Sequence, residues 1–107
     1  LTIDLSENYI DHIESDSFDE MINLENLYLS YNRLEFLNDN TFKNLENLKI
    51  LQLDNNKLLY MNDILLQNLL NLEELYLNDN RISLVHSKAF QNLKNLKIIR
   101  LENNEII

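Results

Sequence analysis

The sequence predicts a repetitive α/β solenoid, with short parallel strands stacked along one wall and turns or short 3₁₀ pieces on the return path. Three observations predict it. Asn8, Asn32, Asn56, Asn80 and Asn104 recur every 24 residues without a slip. A pair of apolar residues two apart precedes each of them: Ile3/Leu5, Leu27/Leu29, Leu51/Leu53, Leu75/Leu77 and Ile99/Leu101. After each Asn the apolar spacing changes, to Ile10/Ile13, Leu34/Leu37, Leu58/Met61 and Ile82/Val85. Self-similarity at a fixed period marks a repeat architecture, and about five copies fit the 107 residues.

Each column of the repeat has a physical task. Residues two apart point to one face of a strand. One coil cannot bury that face alone, so the copies must stack, and their strands then pair in parallel about 4.8 Å apart. The wider spacing after the Asn suits turns or short 3₁₀ pieces more than another strand. Phe18, Phe42, Leu66 and Phe90, ten residues past each Asn, fill the outer side of the coil. The Asn closes the design. Where the chain leaves the strand, backbone groups lose their ladder partners, and an amide side chain supplies both donors and an acceptor. An asparagine ladder is expected.

Bulk composition removes several functions. Eighteen acidic against nine basic side chains give a net charge of −9, which opposes binding to nucleic acid or an anionic membrane surface. No apolar run is long enough for direct membrane insertion. There is no Cys, and hence no disulfide or thiolate metal site. Gly and Pro are absent too, which leaves the turns to Asn and Asp, residues that tolerate left-handed backbone.

Residues 24–34 read L-x-x-L-x-L-x-x-N-x-L through Leu24, Leu27, Leu29, Asn32 and Leu34, and this pattern resembles the leucine-rich repeat. The resemblance covers the whole chain. The 24-residue length and the Phe column look like the extracellular-type subclass found in Toll-like receptors and insect immune factors. It implies a right-handed horseshoe with parallel strands on the concave wall and protein binding as the activity. Location outside the cell or on its surface is implied with it; a cytoplasmic location is the alternative. Three departures stand out: no cysteine caps, no Pro after the position five past the Asn, and no Asn-x-Ser/Thr sequon. Residues 1–107 are expected to form a single solenoid segment excised from a longer protein, because apolar residues such as Ile3, Leu5, Ile106 and Ile107 would otherwise lie bare at the ends.

Function is then sought in positions the repeat leaves free. Four residues before each Asn stand Asp4, Tyr28, Gln52, Tyr76 and Arg100, facing outward from the strands. Tyr31 and Asp79 immediately precede an Asn, Asp54 lies two before, and Glu74 six before. The candidate concave surface for protein binding is Tyr28, Tyr31, Tyr76, Gln52, Asp54, Glu74, Asp79 and Arg100. Exposed tyrosines favour interfaces, and the surrounding acids suit a basic or amphipathic protein ligand. Ile50 and Ile98 are next in line. Arg33, Lys57 and Arg81 share a column just after the Asn and are expected to pair with neighbouring acids as surface salt bridges.

The chain carries no enzyme signature. His12 and His86 have no partner at metal-ligand spacing. No Gly-rich phosphate loop can exist without Gly, and no cofactor is implied. The functional reading is an interaction scaffold of a ligand-recognition receptor or secreted immune or adhesion protein. The alternative is a passive spacer attached to an intracellular enzyme or signalling domain.

Overall fold

The computed structural model describes residues 1–106. Each L-x-L stretch forms a three-residue strand: β1 Thr2–Asp4, β2 Asn26–Tyr28, β3 Ile50–Gln52, β5 Glu74–Tyr76 and β7 Ile98–Arg100. All neighbours pair in parallel, in the order β1-β2-β3-β5-β7. The register is constant: Ile3, Leu27, Leu51, Leu75 and Ile99 lie side by side, as do Asp4, Tyr28, Gln52, Tyr76 and Arg100. The repeat is therefore a spatial lattice as well as a sequence period.

The apolar columns point inward and meet in one core. Leu27, Leu29, Leu51, Leu53, Leu75 and Leu77 are fully buried, as are Leu24, Leu48 and Leu72 from the approach to each strand. Phe18 and Phe42 stack across adjacent coils with ring centroids 6.3 Å apart. Leu66 takes the next place and is buried. In the first and last coils Ile3, Leu5 and Leu101 are only partly buried and pack at the margin of the core.

The return path consists of turns closed by single i→i+3 backbone bonds. The Phe18 carbonyl accepts the Met21 N–H at 3.0 Å, and the equivalents recur at Phe42/Leu45, Leu66/Leu69 and Phe90/Leu93. These bonds have 3₁₀ character but do not run on into helix among the described residues. The solenoid stands as expected, while the helical half of its class label contributes no element. One feature is additional. β4 Tyr60–Met61 and β6 Leu84–Val85 pair in parallel as a second, two-stranded sheet past the asparagine turn. The spacing after the Asn predicts turns or short 3₁₀ pieces there more than another strand.

Candidate concave binding site

The strand ends are shaped by the asparagines. Asn56 donates from Nδ2 to the carbonyls of Leu53 in its own coil and Leu29 in the coil before, at 3.1 and 3.0 Å. Its Oδ1 accepts the backbone N–H of Leu34 at 3.1 Å. Asn32, Asn80 and Asn104 repeat the arrangement. Asn32, Asn56 and Asn80 are buried. Asn8, at the edge of the stack, is exposed and bonds only to its own turn.

The residue before each asparagine is in the left-handed region: Glu7, Tyr31, Asn55, Asp79 and Asn103 all have φ of 56–57°. Sequence reasoning placed Tyr31 and Asp79 on the concave wall, level with the strands. They stand on the turn beyond it. The conformation keeps their N–H groups in the ladder: Tyr31 donates to the Asp54 carbonyl at 3.2 Å and Asp79 to that of Glu102 at 2.9 Å. Asn and Asp accept this backbone readily; Tyr and Glu adopt it against preference.

On the wall itself Tyr28, Gln52, Tyr76 and Arg100 form one row in strand register. Tyr28 and Tyr76 are two strands apart, roughly 10 Å by sheet spacing, and both are half-buried. The Tyr76 hydroxyl donates to Glu74 Oε1 at 2.6 Å. This bond to a carboxylate, followed by partial burial, holds the phenol pKa above its ordinary value. Asp54 accepts from Ser30 Oγ at 2.6 Å and from Asn55 Nδ2 at 2.9 Å. Asp79 accepts from Asn78 and Asn103. Arg100 is exposed and reaches Glu102 at 3.8 Å. Two patches result: a strand row with Glu74 beside Tyr76, and a polar rim along the turn formed by Asp54, Asp79 and exposed Tyr31.

Two further features escaped the sequence reading. Asn47, Asn71 and Asn95 bond to the carbonyls of Ile22, Glu46 and Leu70 at 2.7, 2.7 and 2.8 Å. Asn44, Asn68 and Asn92 bond in the same way to Asp19, Lys43 and Gln67. The stack thus carries three asparagine ladders. The 24-residue recurrence that revealed the first would also have revealed these. Beside them Glu25, Lys49, Glu73 and Lys97 alternate in charge up one flank and line a shallow groove of about 740 Å³. Lys49 meets Glu25 at 3.0 Å and Lys97 meets Glu73 at 3.1 Å, so these charges satisfy one another. The salt bridges expected for Arg33, Lys57 and Arg81 are not formed. Among the described residues no carboxylate lies within ion-pair distance of any of the three.

Among the described residues no group of His, Cys, Asp or Glu is placed to hold a metal, and no helix is long and apolar enough to cross a membrane. The leucine rich repeat family model matches residues 1–58, 22–81 and 46–106. The chain belongs to the leucine-rich-repeat family. Solved structures agree. A chain of the Toll–Spatzle complex, described as a molecular hub in Drosophila development and innate immunity, superposes with a TM-score of 0.91 at 32% identity over 92% of this chain. Its glycosylated form reaches 0.96 at 32% identity over 98%. The leucine-rich repeat domain of APL1B gives 0.92 at 23% identity over 96%, a likeness of fold. This leucine-rich-repeat chain spans 13%, 14% and 30% of those three chains respectively. No curated protein sequence matches it.

Proposed function

We infer that this leucine-rich-repeat chain is a protein-recognition scaffold of a receptor or secreted immune or adhesion protein, located outside the cell or on its surface. Its ligand binds the concave row. The observation that carries the reading is the in-register line Tyr28–Gln52–Tyr76–Arg100 on rigid paired strands. None of these side chains is needed for the core, and two are aromatic with polar tips, the type enriched where proteins meet. Glu74, Asp54 and Asp79 give that surface an acidic rim suited to a basic or amphipathic segment. Family membership supports an interaction scaffold, and Toll is in complex with Spatzle in its solved structure.

The test is titration of the chain with a synthetic Lys/Leu amphipathic peptide. The double variant Tyr28→Ala/Tyr76→Ala should weaken binding by about tenfold or more, roughly 1.4 kcal/mol, with the melting temperature nearly unchanged. Equal affinity in the double variant would overturn the concave-row reading.

A further inference from the structure

A second exposed surface lies on the flank of the solenoid past the asparagine turn, and its chemistry is opposite to that of the concave wall. One residue past Asn32, Asn56 and Asn80 stand Arg33, Lys57 and Arg81, in consecutive coils, with Tyr9 and Glu105 at the two ends of the column. Their backbones are locked in register: Arg33, Lys57 and Arg81 donate N–H bonds to the carbonyls of Ile10, Leu34 and Leu58 at 2.8, 2.8 and 3.0 Å. The Arg33 guanidinium lies 4.4 Å from the centroid of the Tyr9 ring. That contact holds the side chain in place without neutralising it. Three stacked cations repel one another, and in a chain of net charge −9 with eighteen acids they could have been compensated easily. Among the described residues none of the three forms an ion pair with a carboxylate, although Asp11 and Glu35 line the same hollow as Arg33 and Lys57.

Three residues further on, a parallel column is apolar. Phe36, Tyr60 and Leu84 are 54, 45 and 69% exposed, far more than the core lattice would leave them. Phe36 and Tyr60 pack on each other with ring centroids 6.0 Å apart, and Tyr60 pairs with Leu84 across the β4–β6 sheet. The stripe is therefore rigid as well as exposed. Contiguous apolar surface beside fixed charge is the composition of an interface core with its rim.

We propose that the flank formed by Arg33, Lys57 and Arg81 beside Phe36, Tyr60 and Leu84 docks an acidic, amphipathic protein segment. The occupant follows from charge complementarity: three cations without an ion-pair partner, one coil or about 4.8 Å apart, beside an apolar stripe call for a segment that carries both acidic and apolar side chains. The net negative charge of the protein disfavours nucleic acid and anionic lipid, which would meet the whole molecule and not this flank alone. The surface is separate from the concave row and does not depend on it.

The experiment titrates the chain with a short synthetic peptide alternating Glu with Leu and Phe, followed by fluorescence anisotropy, with the uncharged Gln-for-Glu peptide as control. The acidic peptide should bind, and more weakly as salt rises. The triple variant Arg33→Glu/Lys57→Glu/Arg81→Glu should lose about tenfold or more in affinity. Tyr28→Ala/Tyr76→Ala should leave acidic-peptide binding unchanged, which separates this surface from the concave one. Amide shifts on binding should gather on residues 33–36, 57–60 and 81–84. The charge reversals remove little packed surface; circular dichroism confirms the fold, and Lys57→Ala with a smaller loss serves if the triple variant unfolds. Equal binding by the Gln peptide, indifference to charge reversal, or shifts confined to the concave strands would overturn the proposal. So would self-association abolished by the triple variant, which would make a second copy the occupant. Binding only to vesicles containing phosphatidylserine would assign the flank to a membrane surface instead.

Discussion

Asn56 Oδ1 accepts the backbone N–H of Leu34, a residue 22 positions earlier, at 3.1 Å. One side chain thereby closes its own turn and fastens the coil before it. Asn56→Ala strands the Leu34 N–H in a buried site, at a cost of roughly 1–3 kcal/mol, while the Leu29 carbonyl keeps its bond from Asn32. Chemical denaturation measures it, and a loss well under about 0.5 kcal/mol would mean that the ladder contributes little. Asn8→Ala, at the exposed edge, should cost distinctly less.

Tyr31 has φ of 57°, a conformation costing an L-residue with a bulky side chain about 1–2 kcal/mol. Tyr31→Asn should therefore raise the free energy of unfolding, by about 1 kcal/mol. If Tyr31 also contacts ligand, the same change stabilises the fold while weakening binding, a combination that a purely structural residue would not give.

The Tyr76 hydroxyl, donating to Glu74, has its pKa raised. Its neutral form is favoured by folding, so this contribution is fully present below the unfolded tyrosine value and is lost as pH rises through the higher folded one. Difference titration of phenolate absorbance between the chain and Tyr76→Phe should place Tyr76 above a free tyrosine. Glu74→Gln should bring it down; an unmoved titration would show that the carboxylate is not the cause.

On the flank, the Lys49 ammonium beside Glu25 lowers the carboxyl pKa of Glu25. A depressed folded pKa contributes stability above the unfolded value that is lost as pH falls through the folded one. The stability gap between the chain and Lys49→Met should be open at neutral pH and narrow below about pH 4. Added salt should narrow it too, because both groups are exposed. A gap that stays constant to low pH would assign the effect to packing of the lysine stem.

Sequence alone disclosed the lattice because burial is periodic. Leu27, Leu51 and Leu75 recur at a fixed step and occupy equivalent places in adjacent strands. The first ladder was legible for the same reason. The left-handed backbone at Glu7 and Tyr31 was not, since neither residue prefers it; the ladder bond from Tyr31 N–H to Asp54 imposes it from the next coil. Likewise Met61 and Val85 looked like turn residues, and only stacking made their coils pair as β4 and β6. The outward positions of Tyr28, Gln52, Tyr76 and Arg100 could be read from strand alternation. The Tyr76–Glu74 bond and the unpaired state of Arg33, Lys57 and Arg81 depend on side-chain placement that no column pattern encodes.

The alternating column Glu25, Lys49, Glu73, Lys97 gives the stack a parity. Chemically, the flank repeats every two coils, or 48 residues, although the core repeats every 24. Tyr28 and Tyr76, and Ile50 and Ile98, recur on the same doubled step. Excising one interior coil would leave the core able to re-stack but would set Glu against Glu or Lys against Lys at the junction. Excising two would restore the charge order, at the loss of one of the two tyrosines. Neighbouring coils are thus interchangeable to the leucines and asparagines but not to the surface, where the smallest unit that can be added or lost without a mismatch is a pair.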